Sequence, residues 1–233
     1  MKNKSLLYLQ RKRLLMMNIF EALKDNPLFS GIAYGEFEKV LGCLAARTSC
    51  YQKDEVILLT GDDVTFVGLI ISGGVKIVKE DEFGRVSMLT ELRASEMFGE
   101  ILACAGIQKS PVTILALKDT EILRIGSGNI LTPCATACPY HGRLIENMLR
   151  HIAGKSFLLN RKIEILSQRT TREKLLCFFD LHRGGLRRFT VPYNREEMAH
   201  YLCVDRSAMS NELCKMRDEG LISFKKNQFE ILI

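Results

Sequence analysis

The sequence predicts an α+β fold: an antiparallel β-barrel or sandwich, then one long helix, then a small C-terminal winged helix-turn-helix. Three observations carry this. Short apolar runs separated by glycine-rich turns fill residues 51–117. Apolar residues then recur at alternating steps of four and three through residues 145–166. From Tyr193 onward, two short helical patterns and two strand patterns close the chain.

With 233 residues, the chain suits two modest domains that each bury a core. Its 47% hydrophobic and 26% charged content is that of a soluble globular protein. A net charge of +6 suits a nucleic-acid partner without requiring one. No apolar run approaches the roughly 18 residues of a membrane span, so no membrane partner is expected. The first 18 residues are basic, and Arg11, Lys12 and Arg13 interrupt their apolar positions, which excludes a signal-peptide core. Residues 1–18 are therefore expected to be a disordered extension, with Met16 or Met17 as an alternative start. Eight cysteines without paired spacing fit reduced thiols in a cytoplasm better than disulfides.

Residues 19–44 read as short helices punctuated by Pro27, Gly31 and Gly35, with Phe37, Val40, Leu41 and Leu44 on one apolar face. Strand patterns follow at Val56–Leu59, Val67–Ile71, Val75–Lys79 and Val86–Leu92, the last two joined by a turn at residues 81–85. A short helix opens near Phe98, and a strand returns at Val112–Leu117. Residues 125–140 are expected to be a linker. The long helix is expected over Gly142–Gln168, where Ile145, Leu149, Ile152, Ser156, Leu159, Ile163 and Leu166 form a heptad seam. That seam predicts a parallel coiled coil between two subunits; a core helix within one chain is the alternative. A basic hinge at Gln168–Arg172, a helix at Arg172–His182 and a strand at Phe189–Pro192 lead into the last segment.

There, Met198, Ala199 and Leu202 share one side of a first helix, and Ala208, Met209, Leu213 and Met216 share one side of a second. Asp205 is placed to cap the second helix, and small Ala199 permits a close crossing. The opposite face carries Arg206, Ser207, Ser210 and Asn211, donors suited to base edges in a major groove. Arg206 can give two bonds to the O6 and N7 of guanine, worth about 1–3 kcal/mol of discrimination. Two strand patterns around a polar tip then form a wing, whose Lys225 and Lys226 suit phosphates, as do Arg195 and Thr170.

The segment from Tyr193 resembles the C-terminal domain of the Crp/Fnr superfamily of bacterial transcription regulators, and the whole chain can be laid on that pattern. The resemblance implies a double-stranded, jelly-roll-like β-roll of the cyclic-nucleotide-binding type as effector-sensing domain over residues 19–140. It likewise implies a dimerisation helix over 141–168 and a winged helix-turn-helix over 169–233. Gly99 and Glu100 match the family's Gly-Glu pair at the phosphate-binding cassette, with Ile101 beside them, and Lys109-Ser110 stands where cAMP receptors carry Arg-Ser. Lysine offers a point charge in place of a planar fork. Phe157, with Leu158, occupies the position where the cAMP receptor presents hydroxyls to adenine. Both departures argue against cAMP; another small anionic effector is the expectation, and the cofactor is unassigned. Ser207 also replaces the glutamate usual in the family's recognition helix, so the half-site is expected to differ.

Cys134, Cys138 and His141 form a group of soft ligands, with Cys104 as a fourth if folding brings it near. The superfamily includes iron–sulfur and haem sensors, but the fumarate and nitrate type places its cysteines in an N-terminal tail, and no cysteine precedes Cys43 here. Small buried cysteines at a helix start explain the same spacing, so no metal is assigned. The expected function is a cytoplasmic, homodimeric transcription regulator that binds double-stranded operator DNA under a small-molecule or redox signal, with RNA polymerase as a further partner if it activates. A metal or redox sensor with the same output, or a cyclic-nucleotide-binding module without specific DNA binding, are the alternatives. No nucleophile–base motif or Walker loop is present and the four histidines are dispersed, so an enzyme is not expected.

Overall fold

The computed structural model describes residues 2–132, 134 and 138–232, and of residues 2–12 the backbone alone. The chain divides into two compact units, Met1–Ile152 and Ala153–Ile233.

The first unit is built on two four-stranded antiparallel sheets. One has the order β1 (Arg47–Tyr51), β8 (Thr120–Gly126), β3 (Phe66–Ser72), β6 (Met97–Phe98). The other runs β2 (Val56–Leu58), β7 (Thr113–Ala116), β4 (Gly74–Glu80), β5 (Val86–Arg93). Phe66 and Ile70 of β3 join Ile57, Val75, Phe98, Ile114 and Ile122 in one apolar cluster. The alternate residues Val67, Leu69 and Ile71 belong to a second cluster, formed with helices. Because β3 is buried on both faces, its sequence reads as a continuous apolar run rather than an alternation. Gly68 is required inside it: a Cβ there would lie 2.2 Å from the Phe98 ring.

Helices α1 (Lys2–Leu23) and α2 (Tyr34–Cys43) flank a 3-10 turn at Pro27–Phe29. Asn26 caps that turn by accepting from the Leu28 N–H at 2.9 Å, and donates to the Ser95 carbonyl at 2.7 Å, tying the helical layer to the sheets. Ile19, Leu23, Phe29, Phe37 and Leu44 bury themselves against the outer side of β3 and β8. The extension expected to be disordered is helical instead: the described backbone of residues 2–18 continues as α1, whose Ile19 and Leu23 are core residues. The expected linker is also corrected at its start. Ile125 and Gly126 end β8, and α4 (Ser127–Leu131) follows with Ile130 buried.

Helix α3 (Glu100–Cys104) follows β6, and α5 (Pro139–Leu166) is the long helix, a few residues earlier at its start than expected. Leu144 and Met148 of α5 are in the first unit's core, and Ile165 is in the second's.

The second unit comprises the end of α5, α6 (Thr171–Arg183), β9 (Arg188–Thr190), α7 (Arg195–Leu202), α8 (Arg206–Asp218), β10 (Ile222–Lys225) and β11 (Gln228–Ile231). The strands form one sheet in the order β10-β11-β9. Capping boxes start two of the helices. Thr170 and Glu173 exchange bonds at α6, and Asn194 and Glu197 do so at α7. The core gathers Phe178, Phe179, Phe189 and Phe229 with Met198, Ala199, Leu202, Met209, Leu213 and Met216. Burying one such side chain contributes about 1.5–3 kcal/mol. Ala208 departs from the expected apolar face and is exposed, while its neighbours Met209, Leu213 and Met216 are fully buried.

Candidate functional site

Helices α7 and α8 form the helix-turn-helix. The turn places Cys203 at φ +51°, and the Val204 N–H bonds back to the Ala199 carbonyl at 3.1 Å, closing α7 without the usual glycine. Ala199 is 3% exposed. Asp205 caps α8 by accepting from the Ala208 N–H at 2.8 Å, and the same carboxylate accepts the Ser207 hydroxyl. The bond from Ser207, reinforced by that from Ala208, holds Asp205 below the usual carboxylate range. Ser210 donates to the Arg206 carbonyl at 2.8 Å. Ser207 and Ser210 thus spend their protons inside the helix and keep acceptor capacity. Arg206 and Asn211 are exposed, and their side chains bond nothing among the described residues.

On the wing, Lys225 and Lys226 are exposed at its tip, with Lys226 at φ +55°. Arg195, expected as a phosphate anchor, also braces the wing. Its guanidinium lies 4.9 and 5.0 Å from the Phe224 and Phe229 ring centres and donates to the Lys226 carbonyl at 3.0 Å. Burial pulls its pKa below the ordinary arginine value. Thr170, the other expected phosphate contact, has its hydroxyl engaged as the α6 cap, at 3.2 Å from the Glu173 N–H. Arg172, read from the sequence as part of a basic hinge, is a clamp. It donates to Glu212 at 2.5 Å and to both oxygens of Glu219 at 2.7 Å, fixing α6 to α8. Its bonds hold the Glu219 carboxyl below the usual range.

The cassette residues lie in the first unit. Gly99, at φ +80°, turns the chain into α3, and a Cβ there would press on the Phe66 carbonyl at 3.2 Å. Glu100 is 2% exposed, with its carboxylate 3.7 Å from His151 Nε2, so it is no solvated carboxylate. Ile101 is 51% exposed. Lys109 pairs with Asp63 at 2.9 Å. Ser110 is buried: its hydroxyl donates to the Val112 carbonyl at 2.7 Å and its N–H to the Asp62 carbonyl at 2.9 Å. Phe157 lies on α5 in the second unit and is exposed.

Of the soft ligands, Cys134, Cys138 and His141 do come together, but Cys104 does not join them; it is exposed on α3. The fourth member is Cys43, at the end of α2. All four ligand atoms lie within 4.8 Å of one another. Nothing local to Cys43 signals this, since Cys138 lies 95 residues away. In the thiol form, burial and the neighbouring thiols of Cys134 and Cys138 push Cys43 up to about 12. Hydrogen bonding with His141 draws Cys138 the other way, below its ordinary value.

Comparison with known proteins decides the family. A model of the cyclic nucleotide-binding domain matches residues 49–136, and a model of the Crp-like helix-turn-helix domain matches residues 157–233. The chain belongs to the Crp/Fnr family. It is a DNA-binding transcription regulator of the Crp/Fnr type, and members of this family are transcription factors rather than enzymes. The chain is 23% identical over 195 residues to the transcriptional activator protein FnrL of Cereibacter sphaeroides, covering 78% of this chain and 75% of that one. It is also 23% identical over 210 residues to the cyclic AMP receptor protein of Thermus thermophilus, covering 90% and 94%. Among solved structures, the catabolite activator protein of Thermus thermophilus has the same fold, with a TM-score of 0.52 at 22% identity over 88% of this chain and 93% of that one. No helix among the described residues is long and apolar enough to cross a membrane.

Proposed function

We propose that two copies of this chain pair along α5 and grip a two-fold symmetric operator through α8, in the cytoplasm. The observation that carries this reading is Arg206 on the N-terminal turn of α8, exposed and without a partner among the described residues. An arginine there reaches guanine O6 and N7 in a major groove, with Asn211 and the acceptor oxygens of Ser207 and Ser210 beside it. Lys225 and Lys226 neutralise phosphates, and Thr170 adds a weaker contact at the start of α6.

Pairing is supported by the outward stripe of α5. Leu149 is 67% exposed, Leu159 60% and Ile163 56%, a row of large apolar side chains left open to water. Ile145, Ile152 and Leu166 are half-buried positions of the same heptad register, with Ser156 exposed within it. Residues 19–140 are the sensing part, 141–168 the coupling helix and 169–233 the reader. A small molecule or a redox change acts by favouring the DNA-competent arrangement. RNA polymerase is a partner if the regulator activates.

Selection of bound sites from random duplexes by the full chain tests the proposal. An enriched palindrome with half-sites one helical turn apart is expected. Absence of enrichment, or an unchanged site profile for Arg206→Ala, overturns it.

A further inference from the structure

We propose that Cys43, Cys134, Cys138 and His141 hold one Zn(II) ion in a closed tetrahedral site where α2 ends and α5 begins. A tetrahedron with Zn–S near 2.3 Å and Zn–N near 2.0–2.1 Å has edges of about 3.8 Å between sulfurs and about 3.5 Å from sulfur to nitrogen. Cys43 Sγ lies 3.6 Å from Cys138 Sγ and 3.5 Å from His141 Nδ1, and Cys138 Sγ lies 3.2 Å from His141 Nδ1. These are edges around a single ion. An iron–sulfur cluster interposes its own irons and sulfides and spreads its cysteines farther.

The surroundings are also those of a ligand set. His141 is 2% exposed, and its Nε2 lies 2.9 Å from the Asn129 carbonyl. A carbonyl can only accept, so Nε2 carries the proton and Nδ1 presents its lone pair to the three sulfurs. Asn129 is itself anchored by donating its side-chain amide to the Leu44 carbonyl at 2.9 Å, next to Cys43. The Cys138 N–H points at Cys134 Sγ at 3.4 Å, a bond that favours a thiolate there. Binding displaces the three thiol protons and leaves no open coordination position, so the ion fastens α2 to the first turn of α5 and performs no catalysis. The site stands whether or not the operator reading does.

The test uses the full chain, stripped of metal, reduced, and reloaded with Zn(II) or Co(II). One Zn(II) per chain after gel filtration is expected, as are the visible bands of tetrahedral thiolate-bound Co(II), bleached by added Zn(II). Cys43→Ser and Cys138→Ser are expected to weaken Zn(II) binding on the order of a hundredfold or more, and Cys104→Ser to leave it unchanged. If the variants misfold, alkylation of the unaltered chain decides. Zn(II) must then shield Cys43, Cys134 and Cys138 while Cys104 reacts as before. Substoichiometric zinc, equal alkylation of all four, or iron with acid-labile sulfide in place of zinc overturns the proposal.

Discussion

The N-terminal turn of α8 and the loop that follows α3 both carry polar groups suited to a phosphorylated partner, yet they are built in opposite ways. On α8, Arg206 and Asn211 are exposed and have no partner among the described residues. In the cassette, Lys109 is already paired with Asp63, Ser110 bonds Val112 and Asp62, and Glu100 is buried beside His151. A group whose bonds are made inside the protein must break them to take a ligand, and each exchange gives back little of its gross strength. The polar groups of α8 stand open to solvent, whereas those of the cassette already have partners within the chain, the Lys109–Asp63 pair being a surface ion pair.

The largest effect expected from this contrast concerns pairing, because an open reader on one subunit grips weakly. Leu159→Glu with Ile163→Glu puts charge into the α5 stripe. It should leave a folded monomer in sedimentation and lower operator affinity roughly 100- to 10,000-fold, the gain that vanishes when two linked sites become one. A double variant that stays dimeric would remove α5 from the interface.

Arg206→Ala should cost about 1–3 kcal/mol, roughly 5- to 150-fold in affinity, with the loss of preference confined to one base pair per half-site. Arg172→Met is the contrasting case. It touches no base but frees Glu212 and Glu219, so α8 loses its brace against α6 and every operator should weaken alike, with a lower melting temperature. Competition binding against single-base operator variants separates the two patterns. If Arg172→Met also changes base preference, the clamp is part of the reader.

A smaller effect belongs to the wing. Lys225→Gln with Lys226→Gln should lower the slope of log affinity against log salt by about 2, near 0.9 for each phosphate that is no longer neutralised, without altering sequence preference. Fluorescence anisotropy across a salt series measures it. An unchanged slope would put the wing tip away from the backbone.

Elements with local signals were legible in the sequence: the β4–β5 hairpin, the long helix α5, and the helix pair with its wing. Elements defined by distant partners were not. Strand β8 sits between β1 and β3 and is buried on both sides, so Ile122, Leu123 and Ile125 do not alternate, and Glu121 and Arg124 disguise it as loop. Arg124 instead lies over the Phe66 ring at 3.8 Å. The polar residues of β1 give an edge strand no apolar signature at all. At the candidate sites the same rule holds. Arg206 is visible because its environment is solvent, while the engagement of Arg195 by Phe224 and Phe229, and of Arg172 by carboxylates 40 and 47 residues away, exists only after folding. Cys203 shows the converse: it adopts the left-handed turn that glycine usually fills, which its residue type does not announce.

The smallest expected effect is none, and it bears hardest on the contrast. With Lys109 paired to Asp63 and Ser110 turned inward, saturating cAMP should change neither the melting temperature of the full chain nor its affinity for the selected operator. A ligand that binds only the folded state raises stability by RT ln(1 + [L]/Kd), about 2.7 kcal/mol at a hundredfold excess over Kd, so a true ligand cannot hide in a thermal shift. Lys109→Gln sharpens the point. It frees Asp63 and removes the charge a cyclic phosphate would need, and should leave operator affinity where it was. A stabilising shift with cAMP that Lys109→Gln abolishes would mean that the Asp63 pair opens for the nucleotide, and the cradle would then be a latch and not a closed loop.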